Sequence, residues 1–173
     1  MEPNRDQGMS EELNRYIAQL QSPDGAIVAT AAEALCHLGT AAQRAAIELV
    51  RASGTNNDTS RAWIAAALEE LGPPHESQLR DLIDLANNPN GDVRFWSITL
   101  LGRAGGNAAP AVGMLTKQLR ESRHQPSRER AAWALGKIGP AAASAVSALH
   151  EASSCGQPRL ARLAASALAA IAG

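Results

Sequence analysis

The chain has 173 residues, the length of one ordinary domain, with 16 lysines and arginines against 17 aspartates and glutamates and a formal net charge of -1. That balance excludes the strongly basic footprint of a general nucleic-acid binder. Hydrophobic residues make up 45%, which excludes a disordered polar chain, but 36 residues are alanine and only five are aromatic. A core built largely of alanine requires backbones that pass close together. Alanine favours helices over strands, so the composition predicts short helices stacked in layers.

In chain order, residues 1–9 are polar and include Pro3 and Gly8, and are expected to form a disordered tail. They hold no apolar run of signal-peptide length, and no later stretch reads as both long and charge-free enough to span a membrane. The expected location is therefore cytoplasmic, with no membrane partner. Residues 10–21 then carry ELNRYI (12–17), with Leu13 and Tyr16 on one helical face.

Five twelve-residue segments follow in register: VATAAEALCHLG (28–39), RAWIAAALEELG (61–72), RFWSITLLGRAG (94–105), RERAAWALGKIG (128–139) and ARLAASALAAIA (161–172). Successive starts are 33, 33, 34 and 33 residues apart, which marks an internal repeat. The eighth column is Leu35, Leu68, Leu101, Leu135 and Leu168, and the small or apolar fourth, fifth and eleventh columns share its helical face. Gly39, Gly72, Gly105 and Gly139 close four segments, where a left-handed cap is expected. Pro73 and Pro140 follow two of these stops. Asp24, Asp58, Asp92 and Ser127 are candidate caps for the next helix.

A second helix is predicted after each stop, in AAIELV (45–50), QLRDLI (78–83), AVGMLT (111–116) and AVSALH (145–150). Its recurring apolar pairs are Ala46 with Leu49, Leu79 with Leu82, Val112 with Leu115, and Val146 with Leu149. Leu13 and Tyr16 fall in the same columns one repeat earlier. The prediction is four full repeats near 24–53, 58–88, 91–122 and 126–154, with half-repeats at 10–21 and 157–173.

The patterns SRAWIAAALEELG, DVRFWSITLLGRAG and SRERAAWALGKIGPAAASAVSALHEA resemble HEAT repeats, particularly the short bacterial type first noted in phycobilisome lyases. The resemblance covers about residues 10–173 and implies a single all-α domain, an ARM/HEAT-like α-solenoid. First helices would form its convex surface and second helices its concave one. The first copy lacks the arginine of column one and the last lacks the final glycine. Equivalent helices in such a stack lie roughly 8–10 Å apart. Cys36 and Cys155, three repeats apart, are therefore expected to be free thiols, Cys36 buried and Cys155 in a loop.

Opposite the apolar columns of the second helices, the candidate partner-binding face holds Arg44, Glu48, Arg51, Asp81, Asp84, Met114, Lys117 and Glu151. Ser77, Pro110, Ser144 and Ala148 share it. The column Arg51, Asp84, Lys117, Glu151 alternates in sign, which predicts a ladder of inter-repeat ion pairs, each contributing about 0–1 kcal/mol. Arg61, Arg94 and Arg128 occupy column one of the first helices. They are expected to bond neighbouring carbonyls and acids ahead of forming an anion track. Trp63, Trp96 and Trp133 sit away from the leucine column. They either wedge between neighbouring first helices or form an aromatic ridge for a partner.

The four histidines show no metal-ligand spacing, and no metal or cofactor site is expected. His75–Glu76 is a single dipeptide, whereas the HEAT-like deoxyhypusine hydroxylases use several to hold iron. GRAGGN (102–107) reads as a helix stop rather than a nucleotide loop. The expected function is a non-catalytic interaction or scaffold module for a protein or peptide. Alternatives are a bilin lyase-like or chaperone factor acting on a tetrapyrrole protein, which the resemblance alone suggests, and nucleic-acid binding through the arginine column. Homo-association through the terminal half-repeats is a further expectation.

Overall fold

The computed structural model describes residues 5–173, with side chains from Gly8 onward. Among the described residues the fold is all-α: ten α-helices and no strand. They are α1 (Arg5–Gln19), α2 (Gly25–Leu38), α3 (Ala46–Ala52), α4 (Asp58–Glu70), α5 (Leu79–Leu85), α6 (Gly91–Arg103), α7 (Val112–Glu121), α8 (Gln125–Ile138), α9 (Val146–Ser153) and α10 (Pro158–Ala172). All five aligned segments lie in α2, α4, α6, α8 and α10 with their stops. The expected tail is shorter than nine residues: Arg5–Met9 belong to α1, and residues 1–4 of that expectation lie outside the described residues.

The helices gather into two compact units, the first ending at Gly72 and the second spanning Pro73–Gly173. At the division Gly72 takes φ 72°, and Pro73 and Pro74 follow. Two successive residues without a backbone N–H prevent the helix from continuing. In the first unit α2 packs on α1 and α4, and α3 packs on α4. In the second, α6, α8 and α10 pack in that order, while α5 lies on α6, α7 on α8 and α9, and α9 on α10. The first helices α6, α8 and α10 thus form one row, against which α5, α7 and α9 pack.

The leucine column is the centre of both cores. Leu35, Leu68, Leu101 and Leu135 are fully buried, whereas Leu168 on α10 is half-buried. At about 1.5–3 kcal/mol for burying one leucine side chain, this column outweighs any exposed ion pair in the chain.

The stops are glycines for a stronger reason than a left-handed cap. Gly39 (φ 54°, ψ -129°) and Gly139 (φ 72°, ψ -141°) combine positive φ with negative ψ, a conformation that a Cβ obstructs. This sharp reversal starts the 3-10 segments Gly39–Ala45 and Gly139–Ala145, which the sequence pattern did not predict; two further 3-10 segments are Gly105–Ala111 and Glu76–Gln78. Three residues per turn put i and i+3 on one face. Ala42 with Ala45, Ala108 with Ala111, and Ala142 with Ala145 are accordingly buried.

The helix starts correct three of the four expected caps. Asp24 does cap α2, accepting from the Ala26 amide at 2.8 Å. Asn57 and Asn90, not Asp58 and Asp92, cap α4 and α6, accepting from the Ser60 amide at 2.9 Å and from the Asp92 amide at 2.9 Å. Asp58 and Asp92 stand in the first turn, where a negative charge still favours the helix dipole. Ser127 is buried within α8, its hydroxyl 2.8 Å from His124 Nδ1.

Within Gly25–Ala52 the mean hydropathy reaches 1.2, so among the described residues this stretch is, contrary to expectation, long and apolar enough by length and composition to cross a membrane. It is broken at Gly39 into α2, a 3-10 segment and α3. The 14 residues of α2 fall short of the roughly 20 needed for a continuous spanning helix.

Candidate functional site

The predicted face is carried by the short second helices, which the 3-10 segments launch. In the first unit Arg44 and Arg51 are exposed and Glu48 is half-buried. Glu48 and Arg51, one turn apart on α3, pair at 2.5 Å, and Gln21 Nε2 donates to the same carboxylate at 3.3 Å. In the second unit Asp81 and Asp84 on α5, Lys117 on α7 and Glu151 on α9 are exposed, and Met114 is half-buried.

The alternating column is not the ion-pair ladder expected of it. Arg51 takes Glu48 from its own helix, and Glu151 takes Arg120 at 2.9 Å rather than Lys117. Arg120 stands one turn beyond Lys117 on α7, and its long planar guanidinium donates through Nε and Nη2 to both Glu151 oxygens. This contact holds the Glu151 carboxyl below its ordinary range; the hydrogen bond from Arg120 is the main cause. Ser147 donates to the same carboxylate at 3.3 Å.

Column one divides between carbonyl binding and an exposed pair. Arg94 Nη1 donates to the Asn88 and Pro89 carbonyls at 2.7 and 2.9 Å, and Arg128 Nε to the Leu119 carbonyl at 3.0 Å. Both therefore tie the start of a first helix to the end of the preceding second helix. Arg61 remains exposed and pairs with Asp58 on its own helix.

The tryptophans do not form an exposed ridge. Trp96 is 9% exposed, and its ring meets Phe95 edge-on at 5.3 Å. Trp63 is half-buried, 6.2 Å from the His37 ring on α2. Trp133 is half-buried against α6: a Cβ at Gly102 would lie 2.9 Å from its Cε3. Columns three and six point sideways within the first-helix layer, so large rings there fill inter-helix space that alanine leaves.

Two grooves of the second unit were not legible in the repeat. One, of about 430 Å³, includes Phe95, Arg130, Trp133 and Arg159. Arg130 spans two rings, with its guanidinium carbon 4.6 Å from the Phe95 centroid and 5.0 Å from that of Trp133. Arg159 closes the edge through Glu129 at 3.1 Å. The other, of about 510 Å³, lies between the start of α6 and the end of α7, lined by Asn87, Arg94, Lys117, Gln118, Glu121, Ser122 and Arg123. Only Lys117 of these was on the predicted face. Ser122 and Arg123 lie after the end of α7, outside every repeat column, so periodicity carries no signal of their contribution.

Cys36 and Cys155 are free, the first half-buried and the second exposed. Partial burial, with Glu70 and Glu33 nearby, pushes the Cys36 thiol above its ordinary pKa, which disfavours the reactive thiolate. His75 caps the 3-10 turn before α5, its Nδ1 2.8 Å from Ser77 Oγ. Among the described residues no three His, Cys, Asp or Glu side chains converge as a metal-binding group.

These features define an all-helical protein whose distinctive surfaces are polar helix faces and grooves. The fold is similar to that of an engineered protein solved by the Northeast Structural Genomics Consortium, with a TM-score of 0.64 and 20% identity over 93% of this chain and 79% of that one. A second engineered protein from the same consortium gives a TM-score of 0.65 and 18% identity, over 92% of this chain and 81% of that one. No protein-family model matches the sequence. No curated protein matches it either.

Proposed function

We propose that this chain is a non-catalytic interaction module built of HEAT-like repeats, each unit being a stretch of α-solenoid whose second helices present the binding face to a protein or peptide. The observation that carries this reading is the packing of the second unit. First helices α6, α8 and α10 pack in sequence, with Leu101 and Leu135 of the leucine column fully buried. The second helices keep a polar side outward, with Asp81, Asp84, Lys117 and Glu151 exposed. An array of short helices on a rigid apolar layer offers a surface whose side chains can vary without disturbing the core.

Reversing Arg51, Asp84 and Lys117 in charge tests the reading by affinity capture from the source cell. Loss of a protein that the wild type retains, with helical content unchanged, is the expected result. Equal capture by the variant rejects the second-helix face as the binding surface.

A further inference from the structure

We infer that the groove between the start of α6 and the end of α7 is an oxyanion site, taking a carboxylate or phosphate group. Three cations line it, Arg94, Lys117 and Arg123, against one carboxylate, Glu121, an excess of two positive charges. Among the described residues Lys117, Arg123 and Glu121 form no ion pair. The charge of the groove is therefore not cancelled from within, unlike the neighbouring Arg120, which Glu151 neutralises.

Arg94 supplies the fixed element. Its Nη1 is anchored on the Asn88 and Pro89 carbonyls, neutral acceptors that hold the guanidinium in place without cancelling its charge. Its Nε is shielded from solvent and has no hydrogen-bond partner. A buried donor of a charged group left without an acceptor is rare in folded proteins, and here it leaves the guanidinium charge uncompensated beside the groove. Lys117 and Arg123 are exposed at the rim, so an anion meets two adaptable donors beside one pre-positioned guanidinium. The volume, about 510 Å³, accommodates a small polyanion or one acidic group of a larger molecule. This inference needs no protein partner and stands or falls separately from the interaction reading.

Calorimetric titration with inorganic phosphate and, in a second arm, with citrate tests it at constant ionic strength set by potassium chloride. Amide shifts of Gln118 and Ser122, which line the groove, report the location. Saturable binding of either ion, with those shifts and with affinity reduced about tenfold in the Lys117→Ala/Arg123→Ala variant, supports the site. Phosphate alone or citrate alone assigns the preferred oxyanion. Glu121→Gln removes the opposing charge and is expected to strengthen binding, which keeps the test decisive if the double variant is poorly folded. Absence of saturable binding of both ions, or affinity unchanged in both variants, overturns the proposal.

Discussion

The two units contain the same leucine column but solve the approach of neighbouring first helices differently. In the second unit column nine is glycine twice. A Cβ on Gly102 would lie 3.1 Å from the Ala134 Cα as well as against the Trp133 ring, and a Cβ on Gly136 would lie 2.9 Å from the Ala167 Cα. In the first unit the same column is Cys36 on α2, half-buried and with α4 packed alongside. Glycine is thus not a requirement of the repeat. It is required where the facing helix brings a tryptophan or its own backbone to that spot.

The comparison also identifies what the units share. A Cβ on Gly25 would meet the Asn57 side chain at the start of α4, and a Cβ on Gly91 would come within 2.9 Å of the His124 ring at the start of α8. In both units a first helix opens with a residue lacking a side chain, into whose space the next first helix inserts its N-cap residue. Equivalent crossings are therefore pinned at their N-terminal ends by one device and at their middles by two.

The shared part is tested by truncating the leucine column. Leu35→Ala and Leu135→Ala each remove a fully buried side chain, and each is expected to lower stability by about 2–5 kcal/mol in denaturant titration. Leu168→Ala, at the half-buried position, should fall clearly below both. Equal losses at all three positions would remove the distinction between an enclosed and an open end of the column.

The unshared part is tested at column nine. Gly136→Ala places a methyl against the backbone of α10, which cannot move aside as a flexible side chain can, and is expected to lose about 1–3 kcal/mol despite the better helix propensity of alanine. Gly113→Ala on α7, where a Cβ meets nothing within 4 Å, should instead gain about 0.5–1 kcal/mol. A stabilised Gly136→Ala would show that α8 and α10 separate without penalty, and the contrast between units would disappear.

The smallest expected effect concerns the ion pair of the second-helix layer. Because the Glu151 carboxyl is held below its ordinary range, its contribution to stability is present above the unfolded-state pKa and is lost as pH falls through the lower folded-state value. Arg120→Ala should raise the Glu151 pKa toward the ordinary range in a carboxyl NMR titration. Melting temperature at neutral pH should barely change, since exposed pairs contribute little. An unchanged titration would mean that Arg120 does not hold Glu151 in solution.

The register of 33 or 34 residues was sufficient to place all five first helices and all four second helices, because a leucine at fixed spacing in an alanine-rich helix has one way to be buried. It also marked Gly39, Gly72, Gly105 and Gly139 as stops, which all take positive φ. The 3-10 segments escaped because their alanines at i and i+3 look the same as part of an α-helical pattern. Periodicity left the tryptophans open between wedge and ridge for a related reason: angular distance from the leucine column distinguishes the core-facing side but not a lateral side from an outward one.

By itself, then, the amino-acid sequence determined helix positions, the identity of the core column and the glycine stops, all of which follow from local periodicity and backbone sterics. Tertiary structure decided which charges meet. Arg120 rather than Lys117 reaches Glu151, and Arg94 turns to the carbonyls of Asn88 and Pro89, because side-chain reach and helix stagger set such contacts. The groove that gathers Lys117 and Arg123 beside Arg94 is likewise a product of packing. It joins a first helix to the end of the following second helix, and no single helical face contains that juxtaposition.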